Sequence, residues 1–98
     1  MRTFEIYADN VHLGTITEQG NFDMFWAEET FTPAPAFASF QPLFDRERRL
    51  LEADRMEEWQ EAWDEIEQHG LRLVPADGSE PISEFLVHID GRTAWWRY

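Results

Sequence analysis

The sequence contains no cysteine and no lysine, and only five glycines and five prolines. Without thiols there are no disulfides, no thiolate nucleophiles and no thiolate-ligated zinc. Without lysine the basic complement is arginine alone, eight residues against 20 acids, for a formal charge of −12. The basic footprint that nucleic acids and anionic membranes require is therefore missing. No apolar run approaches the length of a membrane span, and Met1-Arg2-Thr3-Phe4-Glu5 opens no signal-peptide pattern. The expected location is the cytoplasm. The expected partner is a protein, a second copy included.

What the chain does have is apolar and aromatic matter. Of 98 residues, 43% are hydrophobic and 15% aromatic. That is enough for one packed interior, so a single domain is expected over 1–98. A Pro/Ala-rich stretch from Thr32 to Ala38 divides an N-terminal strand region from a helical middle, and strand patterns return at Leu71.

Phe4 and Ile6 alternate with polar neighbours, and Asp9-Asn10 supplies a two-residue turn. Pairing across it sets Ile6 opposite Leu13 and Phe4 opposite Thr15, with Tyr7 opposite His12. Ile16 then falls on the wrong face unless a bulge at Gly14 returns it inward. Phe22 to Phe31 reads as a third strand, with Phe22, Met24 and Trp26 on one face and Phe25, Ala27 and Phe31 on the other.

Pro35 is placed to open a short helix, and Pro42 predicts a kink or a fresh start. Leu43 to Ala53 reads as helix, with Leu50 and Leu51 inward and Asp45 paired to Arg49. Asp54 and Glu57 resemble a capping box. Met56, Trp59, Trp63 and Ile66 form one apolar stripe, closed by Gly70. Leu71 to Val74 is a short strand. Asp90-Gly91 then predicts a hairpin of Ser83–Ile89 with Arg92–Tyr98. Its inner face carries Phe85 opposite Trp96 and Val87 opposite Ala94. Its outer face carries Leu86 opposite Trp95, Glu84 opposite Arg97 and His88 opposite Thr93.

Strands, then helices, then strands imply an α+β fold: an antiparallel sheet of five or six strands, with two or three mid-chain helices on one face.

No sequence motif for catalysis, phosphate binding or a metal site is present. Glu61, Glu65 and His69 share a helix face, but the pattern lacks the further ligands that a site requires. No cofactor and no enzymatic activity are expected. Three surfaces remain. Adjacent Trp95 and Trp96 point to opposite sides of their strand, so Leu86, His88, Trp95 and Arg97 form a candidate interaction surface for a partner or a homodimer. Glu57, Glu58, Glu61, Asp64 and Glu65 form an acidic helix face suited to a basic partner, as in an inhibitor or immunity-type protein. The third is a small-molecule pocket between sheet and helices, lined by Trp26, Trp59 and Trp63.

The run Phe4-Glu-Ile-Tyr-Ala-Asp-Asn-Val-His-Leu-Gly14, the segment Phe31-Thr-Pro-Ala-Pro-Ala-Phe37, and Phe85-Leu-Val-His-Ile-Asp-Gly91 followed by Ala94-Trp-Trp-Arg97 resemble a set of small uncharacterised bacterial proteins. The resemblance implies a bacterial source with GC-rich coding. It implies no activity and carries over no site residue.

Overall fold

A computed structural model describes residues 2–22 and 27–97. Strands β1 (Thr3–Ala8), β2 (Val11–Phe22) and β3 (Ala27–Pro33) come first, then a 3₁₀ turn at Pro35–Ser39. Helices α1 (Gln41–Glu52) and α2 (Met56–Glu67) follow, and β4 (Leu71–Pro75), β5 (Leu86–Asp90) and β6 (Thr93–Arg97) complete the chain. The six strands form one antiparallel sheet in the order β4-β1-β2-β3-β6-β5, with the helices packed against it. The fold is the expected α+β arrangement.

The core follows from the strand register. Phe4, Ile16 and Phe31 are lateral neighbours on β1, β2 and β3, and Val87, Ala94 and Trp96 continue the apolar surface. Phe4 and Trp96 stack edge-to-face with ring centroids 5.1 Å apart, although β2 and β3 lie between their strands. Three strand spacings would separate them by about 14 Å in a flat sheet. The sheet is therefore curled, and its concave side receives Phe44 of α1 and Trp59, Trp63 and Ile66 of α2.

The bulge that returns Ile16 inward exists, one residue from its expected place. Tyr7 pairs with His12 and Ile6 with Gly14, so Leu13 is the extra residue. Phe4 then faces Ile16 rather than Thr15, and both are fully buried. Gly14 has a different task. A Cβ there would sit 2.5 Å from the Phe31 ring and 2.6 Å from the carbonyl oxygen of Thr32. Met24, Phe25 and Trp26 lie outside the described residues, as does the side chain of Phe22, and β3 begins at Ala27 rather than Phe22.

The C-terminal hairpin is displaced by one pair from expectation. Asp90 pairs with Thr93, so Gly91 and Arg92 are the central residues, with Gly91 at φ +60°. A glycine at the first central position meets the positive φ that primed turns require there. Asp90 is thereby left in the ladder, where its carboxylate lies 3.7 Å from Arg48. Val87 faces Trp96, His88 faces Trp95 and Leu86 faces Arg97. The inward set keeps its parity, but β5 starts only at Leu86.

Asp54 caps nothing by its side chain. It has φ +57°, its N–H donates to Leu51 and the N–H of Arg55 donates to Leu50. These two bonds make a Schellman motif closing α1, with an aspartate in the usual glycine position. Arg55 is the N-cap of α2, without a side-chain cap. Asp45 pairs with Arg48, not Arg49. Met56 does not join the buried stripe; it is 47% exposed, and Ala62 is buried instead.

Candidate functional site

Three groups of polar side chains can be built from these elements. On the outer side of β1 and β2, Glu5 accepts hydrogen bonds from Thr15 Oγ1 and from His12 Nε2, both at 2.7 Å. The carboxylate stands in the middle of this cluster. A nucleophile relay needs the imidazole there, touching the hydroxyl. The arrangement braces two strands instead, and Tyr7 packs on the His12 ring.

The second group was not legible as a site. Glu47, on α1, is fully buried. Its Oε1 accepts from Trp59 Nε1 at 2.7 Å and lies 2.5 Å from His88 Nδ1. His88 alternates with Val87 and Ile89 and was expected on the outer side of the hairpin. It is nevertheless buried, because α1 packs along β5, the last strand of the sheet. One carboxylate thus ties α1, α2 and β5 together. The helical spacing Phe40, Phe44, Glu47, Leu51 was the available signal: one acid inside an apolar stripe.

Glu29 is also buried, beside Trp96 on the concave side. Burial pushes its carboxyl pKa up, a hydrogen bond from the Trp96 side chain opposes that shift, and the neighbouring charge of Glu18 adds to it.

The third group is open to solvent. A groove of about 870 Å³ runs between the C-terminal half of α2 and the segment 80–86. Trp63, Ile82, Phe85 and Leu86 supply its apolar lining, and Glu67, Glu80 and Glu84 supply charge. Its wall is tied to β4 where Leu73 and Ile82 exchange both backbone hydrogen bonds at 2.8 Å. Pro75 and Pro81 bound the loop between them. Among the described residues, none of the three glutamates forms an ion pair within the chain.

The sequence-predicted residues are distributed among these groups. Leu86 joins the groove, Trp95 is half-buried opposite His88, and the side chain of Arg97 lies outside the described ones. On α2, Glu57, Glu61, Asp64 and Glu65 are exposed, and Glu58 is half-buried and paired with Arg55. Glu65 is held by Arg46 at 3.0 Å and Asp64 by Gln60 at 2.9 Å. His69 rests edge-on against Phe40 rather than completing a metal set with Glu61 and Glu65. Among the described residues no group of three or more His, Asp or Glu could hold a metal ion. Trp59 and Trp63 are stacked in the core, and Trp26 lies outside the described residues.

Compared with protein-family models, with characterised proteins and with solved structures, the chain matches none. Among the described residues, no helix is long and apolar enough to cross a membrane.

Proposed function

We propose that this chain is a non-enzymatic module that binds another protein through the groove between α2 and the 80–86 segment. The observation that carries this reading is the half-buried pair Ile82 and Leu86 set beside Glu67, Glu80 and Glu84, acids without an ion pair among the described residues. An apolar surface rimmed by charge is the usual anatomy of a contact site. Some acids of the helices are answered: Glu58 by Arg55, Glu65 by Arg46, Glu52 by Arg48. The groove's Glu67 belongs to the same helix as the exposed Glu57, Glu61 and Asp64, which also form no ion pair among the described residues. The combined field favours fast encounter with a basic partner.

Two features argue against chemistry as the purpose. The buried carboxylate of Glu47 does not line the groove, and its Oε1 is already engaged by Trp59 and His88. Trp59 and Trp63, two of the tryptophans expected to line an internal pocket, are core residues.

The test is amide-resolved mapping of the labelled protein with a partner captured from its source cells. Shifts concentrated at Trp63, Glu67 and residues 80–86 support the proposal. Shifts confined to the outer side of β1 and β2 would place the contact elsewhere and defeat it.

A further inference from the structure

We infer that the groove's occupant is an extended peptide segment of the partner, carrying one apolar side chain flanked by arginine or lysine. This rests on the groove being the binding surface, and it goes on to fix the chemistry of what binds. The argument has three parts. Among the described residues, the charged side chains lining the groove are Glu67, Glu80 and Glu84, so complementarity favours a cation on either side of the bound segment. Ile82 and Leu86 are only half-buried, while Phe85 is 8% exposed. Ile82 and Leu86 offer exposed apolar surface to an apolar anchor, and such anchors dominate binding when the surrounding contacts exclude water.

The backbone supplies the third part. Within 80–85, Ile82 spends its N–H and C=O on Leu73, and among the described residues Ser83 and Glu84 have no backbone hydrogen bond inside the chain. An extended peptide laid beside them meets main-chain groups that no described backbone group engages. A peptide that pairs with such main-chain groups gains affinity from the main chain and specificity from its side chains.

Three labelled peptides separate the claims: one leucine flanked by arginines, the same with glutamine for every arginine, and the same with glycine for leucine. Each is titrated into the full chain by fluorescence anisotropy, with amide mapping in parallel. The arginine–leucine peptide should bind at 80–86, and each altered peptide should bind about tenfold more weakly. The triple substitution Glu67→Gln, Glu80→Gln, Glu84→Gln should cost a similar factor. Glu57→Gln, Glu61→Gln, Asp64→Asn, an equal change in net charge outside the groove, should change affinity by less than about twofold. Equal loss in both triple variants would overturn the inference, because diffuse charge would then explain the binding. Groove shifts by the glutamine peptide at equal affinity would overturn the basic chemistry while leaving the groove as binding surface. No shift at 80–86 with any peptide would overturn both.

Discussion

Oε1 of Glu47 lies 2.5 Å from Nδ1 of His88 and 2.7 Å from the indole nitrogen of Trp59, and the carboxylate is wholly buried. Removing one partner of a buried hydrogen-bonded carboxylate leaves the other polar group unsatisfied, at a cost of about 1–3 kcal/mol. Glu47→Leu strands two partners, whereas His88→Leu leaves the carboxylate still holding Trp59. Urea unfolding should therefore rank Glu47→Leu as the more damaging. The double variant should lose less than the sum, with a coupling of roughly 1–3 kcal/mol. Additive losses would mean that the two groups do not act as a pair.

Glu29 gives a pH dependence of definite sign. Its folded pKa is raised by burial, so the folded protein holds that proton to higher pH than the unfolded chain does. Its contribution to stability is then fully present below the ordinary glutamate value of about 4.3 and falls as pH rises through the folded pKa. Glu29→Gln keeps an acceptor for Trp96 and carries no charge. It should be more stable than the parent at pH 7, with the gap closing toward pH 4. Denaturation midpoints across that range decide it, and a gap that widens on acidification would reverse the assignment.

Gly14→Ala should destabilise by about 1–3 kcal/mol, the range for forcing a carbon into a packed site. An alanine in a strand normally gains a little over glycine. Here the added carbon meets Phe31 and the Thr32 backbone, and backbone cannot swing aside. A thermal melt at or above the parent's would show that the β2–β3 contact yields.

The sequence announced the elements whose cause is local. Alternation gave β1 and its inward Phe4 and Ile6, Pro35 and Pro42 marked the two helical starts, and the Trp59–Trp63–Ile66 stripe marked α2. Where two local rules competed, the outcome shifted by one step. Gly91 took the first turn position instead of the second, and Asp54 closed α1 instead of capping α2. What stayed hidden depends on non-local contact. The groove wall exists because Ile82 meets Leu73 across a loop, and one bridge leaves no periodicity to read. The acids of α2 were visible as a face, but the groove's Glu80 and Glu84 lay in a segment read as loop and strand. Glu47 resembled any surface acid until β5 supplied His88.

The exposed charges of α2 supply the last test, because they separate stability from recognition. Glu57, Glu61 and Glu65 are spaced i, i+4, i+8, so Glu61 repels a like charge one turn away on each side. Arg46 answers Glu65, and no ion pair within the described residues answers Glu61. Glu61→Gln relieves both repulsions, worth about 0.2–0.5 kcal/mol each. It should raise the unfolding midpoint slightly at low salt, and the gain should vanish at high ionic strength, where the Debye length falls to about 3 Å. The same substitution should slow association with a basic partner while leaving dissociation nearly unchanged, since a charge outside the contact acts on encounter. A stopped-flow measurement that placed the whole effect in dissociation would put Glu61 inside the interface and move the binding surface from the groove onto the exposed face of α2.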